Sequence, residues 1–159
     1  MDDCPAVYRL LHELDDLHVR IRPDVFQPFD DPEQQRERVA GFVDADDAEL
    51  FVAEMDDSIV GLATVRVASN PDAPMFRSGR RALMDDLFVA PDQRRSGIAQ
   101  MLLERIKEWT QSRDLPTLDI NVWNANDSGV AFFTASGFAP RCQQMELKFQ
   151  KPSQPHDAR

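Results

Sequence analysis

"DLFVAPDQRRSGIAQMLLERI", residues 86–106 of a 159-residue chain, is the stretch that decides the fold. The apolar run Leu87, Phe88, Val89 stops at Pro91, and a polar turn then carries Arg94, Arg95, Ser96 and Gly97. Beyond it Ile98, Met101, Leu102, Ile106 and Trp109 recur at helical spacing. This is a strand, a turn and a helix of about four turns. The first N–H groups of a helix have no internal acceptor and sit at the positive end of its dipole. Gly97 has no Cβ to hold a ligand away from the backbone, and Ala99 is the next smallest choice. Arg94 and Arg95 add charge with forked donors. The stretch is therefore suited to an anion. Each helix-terminus contact contributes roughly 0.3–1 kcal/mol, so a lone phosphate would bind weakly. The ligand must bring several charges or an additional apolar arm. Neither a P-loop nor a three-glycine dinucleotide fingerprint is present. On spacing alone, a plain strand–turn–helix with no ligand stays equally open.

Outward from this stretch, Val7, Leu10, Leu11, Leu14, Leu17 and Ile21 predict an amphipathic helix over 6–20. Asp31-Pro32-Glu33 reads as the start of a second helix carrying Val39, Phe42 and Val43. A hairpin follows, with strands at 50–55 and 59–67 about a turn at Asp56-Asp57. Residues 82–90, "ALMDDLFVA", form the strand before the arginine turn. "TLDINVW", residues 117–123, reads as a strand, 127–136 as a short helix closed by Gly137, and "MELKF", residues 145–149, as a last strand. The fold class is α/β (α+β), with helices against a mixed, mostly antiparallel sheet. One domain is expected over 1–150, followed by a polar, disordered tail at 151–159.

The formal net charge is −10, unevenly spread. Residues 1–60 hold 17 Asp/Glu and 5 Arg, a net of −12, while 61–159 hold 11 Asp/Glu and 13 Lys/Arg, a net of +2. That asymmetry suggests two ligands of opposite sign, although acidity for solubility alone explains it too. So acidic a chain is a poor nucleic-acid partner. No apolar run approaches the roughly 20 residues of a membrane span. The acidic start "MDDCPAVYRL" is unlike a signal peptide. Cys4 and Cys142 lack metal spacing and read as reduced thiols, so the expected location is cytoplasmic and no metal is expected.

"LMDDLFVAPDQRRSGIAQMLLERI" followed by "LDINVWNANDSGVAFFTASGF" resembles the GCN5-related N-acetyltransferase (GNAT) superfamily. The matching positions are Arg94, Gly97, Ala99, Asn126, Phe133, Gly137 and Phe138, in register over 83–138. Within it the chain looks most like enzymes acetylating small amines. The resemblance implies acetyl-CoA as cofactor, its pyrophosphate on the backbone N–H groups of Arg95, Ser96, Gly97, Ile98 and Ala99. The pantothenate arm would then pair with the strand edge at Leu87, Phe88 and Val89, and Asn126 and Phe133 would complete the cofactor site. Relatives usually open with a short strand, but only Met1–Cys4 precede the first helix here, so that strand is missing, truncated or upstream of the sequence start.

Acetylating an amine needs a neutral nitrogen, and a base can take its proton. The resemblance places that base at Asp85; Asp86 is the adjacent candidate and, by strand alternation, is expected on the other face of the sheet. Asn126 also reads as a helix N-cap. Many relatives have Tyr where Phe133 stands, donating a proton to the departing thiolate. Phenylalanine cannot, and Tyr8 is the only tyrosine. Trp123 and Phe132 are expected in the core, and His12, His18 and His156 in surface or core roles. The first helix and the loop "RPDVFQPF" would border the acceptor. The function these residues imply is transfer of acetyl from acetyl-CoA to a small cationic amine, the expected partners being that amine and a second copy in a homodimer. The alternatives are acetylation of a protein N-terminus or lysine, and an acyl-CoA-binding regulatory domain without turnover.

Overall fold

A computed structural model describes residues 4–149. Helix α1 (Cys4–Ile21) places Val7, Leu10, Leu11 and Leu14 inward. Helix α2 (Pro32–Val43) is capped by Asp31, whose carboxylate accepts from Glu33 N and Gln34 N, with Pro32 at the first helical position where no N–H is needed. Strands β1 (Ala48–Met55) and β2 (Ser58–Ser69) follow, joined at Asp56 and Asp57, both at positive φ as a tight hairpin turn demands. Strand β3 (Arg80–Val89), helix α3 (Ile98–Ser112), strand β4 (Leu118–Ile120) and helix α4 (Asp127–Ala135) complete the order.

The sheet order is β1-β2-β3-β4; the first three strands are antiparallel and β4 runs parallel to β3. Helices cover both faces, as the mixed α/β class requires. On one face α1 and α2 close over Ile59, Leu62 and Phe88. On the other, Ile98, Leu102, Leu103, Ile106 and Trp109 of α3 close over Ala63, Val65, Ala82 and Met84. Gly61 lets α3 approach: a Cβ there would meet Ile98 Cγ2 at 3.1 Å and Leu102 Cδ1 at 3.2 Å.

Three sequence expectations change. Strand β4 covers only 118–120 of the expected 117–123, because its pairing with β3 stops at Met84. A bulge begins at the next residue, Asp85, where Thr64 pairs Asp86 and Val65 pairs Met84. A bulge bends and twists its strand, which carries β3 away from β4. Second, "MELKF" forms no strand. Its alternation is real, since Glu146 meets Arg22 and Lys148 meets Asp24, while Met145, Leu147 and Phe149 are exposed. What is missing is a partner edge long enough to pair with. Third, Val43 of α2 points outward. Residues 1–3, ahead of α1, where relatives carry an opening strand that the sequence reading takes as missing, truncated or upstream, lie outside the described residues, as does the tail at 151–159; α1 itself begins at Cys4.

Candidate active site

The turn between β3 and α3 is shaped by its backbone. After a 3₁₀ turn at Pro91–Gln93, Arg95 (φ 66°) and Gly97 (φ 89°) both adopt the left-handed region. No side chain caps α3, and its first internal bond runs from Met101 N to Gly97 O at 3.0 Å. The N–H groups of Ile98, Ala99 and Gln100 are thus left without intrahelical acceptors. A Cβ built on Gly97 meets no atom within 4 Å, so the space over the helix start is open. This fits a pyrophosphate. Ile98 itself is buried and Ala99 packs on the core, so both offer only their N–H. Arg94 is less free than Arg95: its Nε donates to Val89 O at 3.1 Å and its guanidinium lies 5.3 Å from the Phe88 ring centre. The Ser96 hydroxyl donates to Gln93 O, closing the turn.

Next to the turn, residues 85–89 of β3 have no partner on the β4 side, since that ladder ends at Met84. The gap is an edge onto which an extended ligand arm could add. The side chains of Leu87, Phe88 and Val89 are committed to the two cores, so again the backbone is what remains.

The two aspartates share one face of the sheet, contrary to the expectation of opposite faces. Asp86 lies on the α1/α2 face with Thr64, whose hydroxyl donates to it at 2.9 Å and accepts its N–H at 3.1 Å. Arg38 of α2 donates to the same carboxylate at 2.8 Å and to Asp15 at 3.2 Å. Asp85 receives Arg66 Nε at 2.8 Å. Arg66 alternates with Val65 and Val67 of the α3-side core, so it and Asp85 project on the α1/α2 face as well. The bulge absorbs the alternation that strand geometry alone would impose. Burial raises the Asp85 pKa above its usual value, opposed by the Arg66 hydrogen bond and charge; the charge on Asp86 adds to the rise.

Asn126 takes its N-cap role: its Oδ1 accepts from Gly129 N at 3.0 Å, and a Cβ on Gly129 would lie 2.7 Å from Asn126 Nδ2. Phe133 is a core residue, 7% exposed, edge-on to Phe132 and Phe138. Trp123, expected in the core, instead sits half-buried beyond β4, its ring edge-on to Phe26 at 5.4 Å and covered by Arg22 at 4.9 Å. Phe26 also stacks on His18 at 5.1 Å. A cleft of about 350 Å³ opens beside this row, lined by Asp15, Phe26, Gln27, Phe29, Gln34 and Arg38. Sequence reasoning missed His18, Arg38, Arg66 and Thr64. The one available signal was Asp15 and His18 lying a turn apart on the polar margin of α1.

An uncapped helix start beside an unpaired strand edge makes a site for an anionic ligand with an extended arm, and comparison with known proteins gives the class. The model of the acetyltransferase (GNAT) family matches residues 11–138. An acetyltransferase of Yersinia pestis (strain Pestoides F) is 33% identical over 111 residues, 69% of this chain and 69% of the relative. The tetramutant of BH1408 protein from Bacillus halodurans superposes with a TM-score of 0.83 at 22% identity, covering 92% of this chain and 94% of that one. The aminoglycoside acetyltransferase AAC(6')-Iy, solved with a bisubstrate analogue of CoA and acetylneamine, gives 0.67 at 17% identity over 89% of this chain and 92% of that one. The chain belongs to the acetyltransferase (GNAT) family. It is an N-acetyltransferase with acetyl-CoA as its acyl donor.

Proposed function

We propose that one domain over 1–150 transfers acetyl directly from acetyl-CoA to a small cationic primary amine, both substrates being bound together. The observation that carries this is the juxtaposition of an uncapped, open helix start at Gly97 with an unpaired β3 edge that ends at two carboxylates. In this proposal the N–H groups of residues 95–99, with Arg95 and Arg94, hold the phosphates, and residues 87–89 hold the arm. Asn126 orients α4 beside the arm, and Phe133 packs beneath it. The bound cofactor supplies an activated acetyl thioester. Asp85, Asp86 and Asp15 draw the ammonium into the cleft, where Phe26 and Phe29 give its carbon skeleton an apolar wall. AAC(6')-Iy, through its acetylneamine analogue, supports an amine acceptor of small-molecule type.

The test is release of free CoA from acetyl-CoA with spermidine, an aminoglycoside, phenylethylamine and a lysine-bearing peptide. Turnover is expected with at least one small amine and least with the peptide. Binding of acetyl-CoA without CoA release would favour the regulatory alternative, for which the missing hydroxyl at Phe133 is the supporting observation. A homodimer and a cytoplasmic location complete the proposal. The exposed row Met145, Leu147 and Phe149 and the free, exposed thiol of Cys142 support them, and sedimentation of the purified chain tests the first.

A further inference from the structure

Both carboxylates at the opening already hold cations, Asp85 through Arg66 and Asp86 through Arg38. Every oxygen of the two is engaged by a donor within the protein, Asp86 by Arg38 and Thr64 and Asp85 by the Arg66 guanidinium, so neither carboxylate offers an open lone pair to an incoming amine. Another titratable group faces the same place. His18 lies one turn beyond Asp15 on α1, half-buried, with its ring stacked on Phe26 at an interplanar angle of 24°. Its ring nitrogens have no hydrogen-bond partner among the described residues. Phe26 in turn meets Trp123, three residues past the end of β4. The row His18–Phe26–Trp123 therefore ties α1 to the segment after β4, the segment that leaves residues 85–89 of β3 unpaired.

Resting on the N-acetyltransferase function proposed above, we propose that the imidazole of His18 is the base that takes the proton from the attacking amine nitrogen. The ammonium first gives one proton to bulk water, and the neutral fraction of the bound amine reacts: the lone pair of its nitrogen forms the new N–C bond to the acetyl carbonyl carbon. The C–S bond breaks and its electron pair leaves on the CoA sulfur. The N–H proton, made acidic as the bond forms, passes to the free ring nitrogen of His18 and from there to solvent. The charged groups around the ring are Asp15 on α1, Arg38 on α2 and Asp86 on β3. Burial holds the imidazole below its usual pKa, against the pull of Asp15 and Asp86 and with the help of Arg38. The ring is neutral at pH 7, with its lone pair available, and the two carboxylates stabilise the imidazolium that forms.

The experiment is the pH profile of kcat/KM for wild type, His18→Gln and Asp85→Asn, using the amine turned over fastest. It is paired with NMR titration of the His18 ring protons in the free protein. The expected wild-type profile rises through a pKa below 6.5 that coincides with the NMR midpoint. His18→Gln loses that limb and about 100-fold in rate at pH 7, keeps its affinity for acetyl-CoA, and Asp85→Asn keeps the limb. Imidazole added to a His18→Ala chain restores part of the rate, which a merely structural histidine would not allow. A His18→Gln rate within threefold of an active wild type overturns the assignment, as does a limb that survives in His18→Gln and vanishes in Asp85→Asn. No CoA release by wild type with any amine would instead overturn the transfer reaction itself.

Discussion

The two ends of the site are made of different materials. The α3 end is backbone: left-handed Arg95 and Gly97, three unaccepted N–H groups and open space where a Cβ would go. The α1/α2 end is side chain, with Asp15, His18, Arg38, Thr64, Arg66, Asp85 and Asp86 converging from four elements. A backbone site needs few residue identities and tolerates little at the ones it has. A side-chain site can be rewired for a new acceptor while the donor stays the same. The contrast predicts that changes at the first end act on ligand binding and changes at the second act on stability and pH response.

The largest expected effect is at the second end. Asp86→Ala leaves Arg38 and Thr64 without a buried partner. Breaking one side of a buried pair destabilises by about 3–5 kcal/mol. The low end of that range applies, since the Arg38 side chain is 32% exposed and keeps Asp15. Thermal melting should show a loss of about 3 kcal/mol. A melting temperature equal to that of wild type would mean that the network carries no stability and that Asp86 is free to do chemistry.

Gly97→Val should act the other way round. The added atoms meet nothing in the protein, so the structural penalty is confined to the positive φ, about 1–2 kcal/mol. The same atoms occupy the space over the helix start. Calorimetry should show acetyl-CoA affinity weakened by a factor of about 100, or roughly 2.7 kcal/mol. Unchanged affinity in a folded variant would remove the phosphate cradle from the α3 end.

This division also explains what the chain discloses before folding. The cradle depends on neighbours in sequence, so "PDQRRSGIA" displays it, and the caps at Asp31 and Asn126 and the stop at Gly137 are local in the same way. The paired carboxylates are harder. Strand alternation sends Asp85 and Asp86 to opposite faces, and nothing in "LMDDLF" marks the bulge that undoes this. Arg38 and Arg66 look like solvated charges until α2 and β2 are placed against β3. "MELKF" has the period of a strand, but a strand also needs an edge, and β4 is three residues long. Trp123 has the composition of a core residue and an address that only tertiary packing assigns.

Phe133→Tyr tests whether α4 belongs to the chemistry or to the core. The ring is edge-on to Phe132 and Phe138 in an apolar cluster. A new hydroxyl there has no partner among the described residues and should lower stability by about 1–2 kcal/mol. The kcat should not rise. A faster enzyme would show that the hydroxyl reaches the departing sulfur and that thiolate departure limits the rate.

The smallest expected effect is a pH dependence, and it isolates His18 from its acidic neighbours. The folded-state pKa lies below the ordinary imidazole value of 6.5, through burial first. As pH falls, the unfolded chain therefore takes up its proton before the folded chain does. Between 6.5 and the folded pKa the unfolded state holds more protons, so this contribution to stability falls with falling pH across that window. Above 6.5 neither state is protonated and below the folded pKa both are, so the contribution is flat on either side. Other groups titrate over the same range, and the difference between wild type and His18→Gln removes them. That difference in melting temperature should shift against wild type on going from pH 7.5 to pH 5.5. A shift in favour of wild type would mean that Asp15 and Asp86 outweigh burial and raise the His18 pKa. The ring would then carry a proton over more of the range near neutrality, and its place as the base would pass to a water molecule held by the carboxylates.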